Sequence, residues 1–181
     1  MNSADVRLSK YLSRILRHAP ESAGLTLDRE GWAELDAVVA AAAARGLAGS
    51  AEDVGRVVEH NNKRRFGLSP DGKRIRAVQG HSSPLVELTL NAARPPDLLF
   101  HGTADRNLPS IMAEGLYSGR RHHVHLSADM ETALQVGRRH GVPAVLEVAA
   151  AAMARDGHQF FRAENGVWLV RAVPPEYVRG T

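Results

Sequence analysis

The chain begins with apolar residues repeated at the spacing of one helix face. The apolar positions are Leu8, Leu12, Ile15 and Leu16. The cationic positions Lys10, Arg14, Arg17 and His18 recur at the same spacing on the other side. This pattern predicts an amphipathic helix from Val6 to His18. Pro20 stops the helix, because the residue before a proline avoids helical backbone.

Further helix signals follow in the first half of the chain. A second helix is predicted from about Trp32 to Ala44, since Gly46 is a typical C-terminal stop. Ser50 is expected to open a third helix, because Asp53 stands three residues later as a variant of the capping box.

A hairpin is predicted next, because "RRFGL" and "KRIRA" flank the strong turn signal "SPDG". Strand side chains alternate between faces. The alternation directs three apolar residues to the core: Phe66, Leu68 and Ile75. It directs three cations outward: Arg65, Arg74 and Arg76. Helices followed by a hairpin resemble a winged-helix module.

The second half alternates short strands and helices, which predicts an α+β fold. The predicted strands are "LLFHGT", "HHVHLS", "AVLEV", "HQFFR" and "VWLV". Helices are expected near 105–114 and from 128 to 140, with a short Ala-rich helix before "HQFFR". Pro95 and Pro96 interrupt regular structure. We therefore expect two lobes, 1–85 and 97–181, joined by a linker at 86–96.

Composition narrows the class of protein. The 181 residues are 44% hydrophobic and 24% charged, as in soluble globular proteins. There is no cysteine, which excludes disulfides and thiolate metal sites and fits a reducing cytosol. No apolar run approaches membrane-span length, and the N-terminus lacks a signal-peptide layout. We expect a cytoplasmic protein that contacts no membrane.

Charge is uneven along the chain although the net charge is only +3. Residues 1–82 carry 13 Lys and Arg against 10 Asp and Glu, whereas the rest carries 10 of each. Much of the excess lies between Lys63 and Arg76. A local basic cluster is typical of proteins that bind phosphate-bearing partners.

The stretch "GRRHHVHLS" at 119–127 concentrates candidate chemistry. As a strand it places Arg121, His123, His125 and Ser127 on one face. A zinc site would need three or four ligands, and no cysteine or suitably spaced carboxylate completes the histidines. A strand with surface histidines and a phosphate or nucleotide site both remain open. Arginine favours the latter, because its guanidinium is a fork-shaped phosphate ligand.

Three further stretches carry polar groups at the ends of predicted elements. In "LFHGT", Gly102 would let a ligand approach the backbone closely, although the tripeptide alone favours a strand that simply ends in a turn. In "ILRHAP", Arg17 and His18 could simply complement the helix dipole. In "IRAVQGHS", the polar cluster at a strand end is not explained by solvated charge.

Together these stretches resemble the KptA-type RNA 2′-phosphotransferases. The similar segments are "LSKYLSRILRHAP", "KRRFGL", "IRAVQGHS", "LFHGT", "GLYSGRRHHVHLS" and "NGVWL". They occur in family order and span residues 8 to 169, so the ordered set is specific where each motif alone is modest.

The resemblance implies a fold and a reaction. The fold joins an N-terminal winged-helix-like, RNA-binding lobe to a C-terminal lobe of the ADP-ribosyltransferase-like NAD-binding kind. The reaction transfers an internal RNA 2′-phosphate, of the kind left by tRNA splicing, to NAD. It passes through 2′-phospho-ADP-ribosylated RNA and releases nicotinamide, 2′-OH RNA and ADP-ribose 1″,2″-cyclic phosphate. NAD is a co-substrate, no metal is implied, and we expect a monomer.

The resemblance also assigns the site residues. The catalytic set is Arg17, His18, Arg65 and Arg121. The Arg121 match rests on the Arg-x-His-Val-His-Leu-Ser spacing, which excludes Arg120. The NAD-contacting set is His101, Gly102, Thr103 and Ser127.

Two departures from the family pattern bear on function. Val78 stands where a polar residue is common, which we expect to affect RNA contact more than chemistry. Val167 stands where protein ADP-ribosyltransferases have a glutamate, which argues against transfer to proteins. The alternatives are an ADP-ribosyltransferase that modifies nucleic-acid phosphate ends and stops after the first step, and a winged-helix binder without activity.

Overall fold

The computed structural model describes residues 2–61 and 64–181 and divides into two units, Met1–Thr89 and Leu90–Thr181. The division falls within the predicted linker 86–96. On the linker's N-terminal side, Val86 is buried and the Thr89 N–H and hydroxyl donate to Glu30 in the first unit. On its C-terminal side, Ala93 N donates to Phe160 O in the second unit, at 2.9 Å.

The first unit places three helices beside a small antiparallel sheet. Its elements are α1 (Ser3–Ile15), β1 (Trp32–Glu34), α2 (Leu35–Ala43), α3 (Ala51–Glu59), β2 (Phe66–Leu68) and β3 (Arg74–Ala77). A 3₁₀ turn follows α1 at Pro20–Ala23. The strand order is β1-β3-β2. The apolar stripe of α1 is buried in the core, as predicted.

Capping boxes begin two of these helices. Asn2 Oδ1 accepts the Asp5 N–H at 2.8 Å at the start of α1. Ser50 and Asp53 make the equivalent pair before α3, which confirms the predicted start. Each box satisfies N–H groups that the helix leaves without intrahelical acceptors.

Helix α1 covers Ser3–Ile15 and not the predicted Val6 to His18, because the Asn2 capping box starts it earlier. Two further details of the first unit differ from the prediction. The predicted second helix begins three residues late, because Trp32–Glu34 pair with Arg76–Arg74 as the edge strand β1. The hairpin formed as predicted, and Phe66 and Ile75 are buried. Leu68, however, is 37% exposed, because it ends β2 beside the exposed turn at 70–73.

The second unit is built from short antiparallel strands and three helices, so the whole chain is α+β. Its strands are β4 (Leu99–Ala104), β5 (Leu116–Tyr117), β6 (Val124–Leu126), β7 (Pro143–Val148), β8 (Phe160–Arg162), β9 (Trp168–Val170), β10 (Ala172–Val173) and β11 (Val178–Gly180). Its helices are α4 (Leu108–Glu114), α5 (Met130–Gly137) and α6 (Ala150–Arg155). The predicted strands and helices all occur, most of them with shorter bounds, although β4 keeps its predicted length and β7 is one residue longer than predicted. Strands β5, β10 and β11 were not predicted.

These strands form three sheets, ordered β11-β7-β4, β6-β9-β8 and β10-β5. An isolated bridge between Phe100 and Ser127 joins β4 to the residue after β6. Helix α5 packs against β4 and β7, and the unit has its own apolar core. Among the described residues, no helix is long and apolar enough to cross a membrane.

Candidate active-site residues in the two units

In the first unit, the end of α1 meets the segment after β3. Ser82 N donates to Arg17 O at 2.9 Å, and His18 Nδ1 lies 3.1 Å from Ser82 Oγ. His18 N still donates to Arg14 O, so the helical turn continues past Ile15. The motifs "ILRHAP" and "IRAVQGHS", about 60 residues apart along the chain, therefore share one site.

The guanidinium at this site is held against backbone. Arg17 is 7% exposed, and a Cβ built on Gly80 would lie 3.7 Å from its Cδ, Nε and Cζ. Gly80 has a φ of +88°, a conformation that other residues rarely adopt. Gln79 and His81 on either side are also buried. The polar segment Gln79–Ser82, which the sequence indicated, thus lies around Arg17.

Arg65 is connected to the same segment. Val78 N donates to Arg65 O at 3.0 Å, which continues the hairpin ladder by one pair. Arg65 Nη1 donates to Asn61 Oδ1 at 3.5 Å, and Asn61 Nδ2 donates to Ser9 Oγ on α1 at 3.3 Å. The first unit therefore holds three of the four predicted catalytic residues: Arg17, His18 and Arg65.

Two arginines of the basic cluster pair with carboxylates. Arg74 pairs with Asp28 and Arg76 with Glu30, both at 3.5 Å. Both guanidiniums also lie over the Trp32 ring, 5.5 and 4.6 Å from its centroid. Sequence reasoning missed these partners, because they come from the loop and edge strand some forty residues earlier. Lys63, at the start of the cluster, lies outside the described residues.

In the second unit, His101 is fixed in one tautomer. Its Nδ1 lies 3.1 Å from His125 O, a carbonyl that can only accept, so Nδ1 carries the proton. Burial lowers the pKa of His101; the hydrogen bond to His125 O opposes this shift, and the nearby His140 adds to it. The neutral ring presents Nε2 as a hydrogen-bond acceptor.

Gly102 is required by the packing of a helix rather than by a ligand on its Cβ side. A Cβ there would lie 1.7 Å from Ala133 O in α5 and 2.9 Å from Gly137 N. The packing of α5 against β4 therefore explains why residue 102 is a glycine. Any ligand at Gly102 would contact its backbone.

The other predicted NAD-contacting residues adjoin His101. Thr103 is buried, and its Oγ1 accepts a hydrogen bond from Asn107 Nδ2 at 3.1 Å. Ser127 exchanges two backbone hydrogen bonds with Phe100, at 2.8 and 2.9 Å. The two motifs "LFHGT" and "HVHLS" thus lie side by side.

Arg121 is not part of the histidine strand. β6 covers Val124–Leu126, whereas Arg121 follows a turn in which its N–H donates to Ser118 O at 3.2 Å. The predicted alternation holds from Val124 onward and is wrong for Arg121. Partial desolvation lowers the pKa of the Arg121 guanidinium, which nevertheless stays cationic at working pH.

His123 packs on an aromatic ring. It makes an edge-to-face contact with Phe161 of β8, with ring centroids 5.6 Å apart. Burial lowers its pKa, as do the nearby His122 and Arg171. Across residues 2–61 and 64–181, no group of three or more His, Cys, Asp or Glu side chains is arranged to hold a metal ion.

Comparison with known proteins gives one consistent result. The family model described as "RNA 2′-phosphotransferase, Tpt1 / KptA family" matches residues 3–172. A protein of Burkholderia lata called a probable RNA 2′-phosphotransferase is 56% identical over 173 residues, covering 96% of this chain and 89% of its own. Proteins with the same name from Pseudomonas aeruginosa (56% identical over 171 residues) and Streptomyces coelicolor (55% over 174) are also similar. The alignment with the Pseudomonas protein covers 94% of both chains, and the alignment with the Streptomyces protein covers 96% of this chain and 94% of the relative.

Proposed function

Since this chain belongs to the Tpt1/KptA family of RNA 2′-phosphotransferases, we propose that it transfers an internal RNA 2′-phosphate to NAD. The first unit would act as the winged-helix-like, RNA-binding lobe and the second as the ADP-ribosyltransferase-like, NAD-binding lobe. The observation that supports this most directly is the site at the end of α1. There a buried guanidinium, an imidazole and a hydroxyl come together from Arg17, His18 and Ser82.

In the first step, an oxygen of the RNA 2′-phosphate attacks the anomeric carbon of the nicotinamide ribose. The bond to nicotinamide breaks, and nicotinamide leaves as a neutral molecule with the bonding electrons. The phosphate is already anionic near neutral pH and needs placement more than a base. Arg17 and Arg65 are suited to this task, because a guanidinium binds phosphate oxygens with two parallel hydrogen bonds.

In the second step, the ribose 2″-hydroxyl attacks the phosphorus and the bond to the RNA 2′-oxygen breaks. The hydroxyl proton is lost and the RNA oxygen gains one, so an acid and a base are needed. His18 serves here, because an imidazole can both accept and donate a proton near neutral pH. With Nδ1 held by Ser82 Oγ, proton transfer is the task of Nε2. The arginines, with Arg121 among them, stabilise the charge on the crowded phosphorus.

The second unit supplies groups that fit NAD. His101 is neutral, with Nε2 as an acceptor for a ribose hydroxyl. The backbone of Gly102 carries the hydrogen-bonding groups that a carboxamide needs. Val167 lacks the carboxylate that protein ADP-ribosyltransferases place in this region, which supports an RNA phosphate over a protein side chain as acceptor.

The proposal is tested by incubating the purified chain with a 2′-phosphorylated oligonucleotide, with and without NAD. We expect NAD-dependent release of nicotinamide, 2′-OH RNA and ADP-ribose 1″,2″-cyclic phosphate, identified by mass spectrometry. Accumulation of an ADP-ribosylated RNA without cyclic phosphate would indicate the alternative, an enzyme that modifies nucleic-acid phosphates and stops. RNA binding without nicotinamide release would contradict both.

A further inference from the structure

Helix α1 carries an exposed stripe of cations that ends at His18. The α1 cation stripe consists of Arg7, Lys10 and Arg14, all exposed. At about 100° per residue, these three and His18 fall within an arc of about 80° on one side of the helix. The hydrogen bond from His18 N to Arg14 O extends the helical turn to the end of this line.

The stripe lacks the opposite charges that usually accompany such residues. Every position three or four residues from a stripe cation along α1 is neutral or cationic. Among the described residues, none of the three cations pairs with a carboxylate. The acid of α1, Asp5, is buried and paired with Arg56.

Helix stability does not explain this arrangement. Arg7 and Lys10 are three residues apart, and Lys10 and Arg14 four apart, spacings at which like charges destabilise a helix. The helix dipole favours cations only in the last turn, which accounts for Arg14 alone. Arg7 and Lys10 stand where the dipole gives no benefit. A row of cations that costs helix stability indicates a polyanionic partner.

We propose that the α1 cation stripe binds the phosphodiester backbone of the RNA strand that flanks the 2′-phosphorylated nucleotide. The inference rests on the proposed function, which places that nucleotide at Arg17 and His18. From Arg7 to His18 the helix rises about 17 Å, which a strand of several nucleotides would follow. The stripe contacts backbone and not bases, so it increases affinity without selecting a sequence.

The test compares a stripe variant, R7Q/K10Q/R14Q, with wild type on 2′-phosphorylated oligonucleotides of about 3 and about 12 nucleotides. On the long oligonucleotide we expect KM to rise at least about tenfold with kcat unchanged. The slope of log affinity against log salt should become shallower by about 2, since each lost contact to a single strand contributes about 0.7. On the short oligonucleotide, which does not reach along the helix, both constants should stay as in wild type.

The matched control is R138Q/R155Q/R179Q, which removes three exposed cations from the second unit. We expect the control to keep the wild-type KM and salt slope, whereas the stripe variant loses affinity. Equal losses in the two variants would mean that only net charge matters, which overturns the proposal. An unchanged KM on the long oligonucleotide would overturn it as well.

Binding separates this proposal from the proposed function. Fluorescence anisotropy with the long oligonucleotide measures RNA affinity, and hence the contribution of the α1 cation stripe, without any turnover. Suppose that wild type binds the oligonucleotide, that the stripe variant does not, and that no product forms with NAD. This result would support RNA binding by the α1 cation stripe and contradict the proposed reaction. The melting temperature of the stripe variant should equal or exceed that of wild type, because like charges have been removed. A lower melting temperature with equal RNA affinity would assign the stripe a structural role instead.

Discussion

Replacing Gly102 by alanine tests what this glycine does. The added Cβ would lie 1.7 Å from Ala133 O and 2.6 Å from Ala133 C, both backbone atoms of α5. Because backbone atoms cannot rotate aside as a side chain does, the whole helix α5 would have to move away from β4 to restore an ordinary contact distance between the new Cβ and Ala133 O. Overpacking a close-packed site costs about 1–3 kcal/mol, and we expect the upper end here.

The assay is urea unfolding followed by tryptophan fluorescence. Trp32 lies in the first unit and Trp168 in the second, so a W32F background makes the signal report the second unit. We expect G102A in this background to lower the free energy of unfolding by about 3 kcal/mol.

Gly55→Ala is the control, measured with Trp32 retained to report the first unit. Gly55 lies inside α3, and a Cβ added there would meet no described atom within 4 Å beyond its own helix backbone and chain neighbours. Alanine there should raise the free energy of unfolding by about 0.5–1 kcal/mol, through helix propensity alone. If G102A kept wild-type stability and only raised KM for NAD, the packing explanation would be refuted.

Three further variants and one control test the site. His101→Asn keeps an N–H donor but cannot titrate. Because burial lowers the pKa of His101 in the folded protein below 6.5, the stability of the wild type falls as the pH drops through 6.5. Between about pH 7 and about pH 5, the melting temperature of the variant should therefore fall less than that of the wild type. Arg121→Ala should slow the second step by at least about 10²-fold with the fold intact, so that ADP-ribosylated RNA accumulates in a mass-spectrometric time course. Arg120→Ala should leave that time course unchanged, and equal effects would remove Arg121 from the mechanism. Ser82→Ala removes the contact that orients His18 and should lower kcat about tenfold, with circular dichroism unchanged, whereas an unaltered kcat would reject a positioning role.

Much of the fold could be predicted from local pattern. The apolar stripe of α1, the Ser50 capping box and the "SPDG" hairpin all occur as predicted, because each depends on residues within a few positions of one another. Such local signals act through backbone geometry and side-chain periodicity, which need no knowledge of distant partners.

The errors occur where a distant segment supplies the partner. Trp32–Glu34 form a strand instead of a helix because β3, some forty residues later, offers its edge. The strand β6 stops short of Arg121 because its pairing with β9 ends at Val124. The close packing of α5 on Gly102 was likewise missed, because α5 lies about thirty residues further along the chain.

For the candidate site, too, some features could be predicted from the sequence and others depend on distant segments. The sequence alone led to the prediction that Arg17, His18, Arg65 and Arg121 carry the chemistry, since ordered motifs that resemble one family contain them. Only the tertiary structure decided the surroundings of the candidate residues: that Ser82 contacts His18, that His125 O sets the tautomer of His101, and that two hairpin arginines pair with carboxylates. The physical reason is that residue type sets what a group can do, whereas hydrogen bonding, desolvation and charge pairing depend on neighbours that only folding brings within a few ångströms.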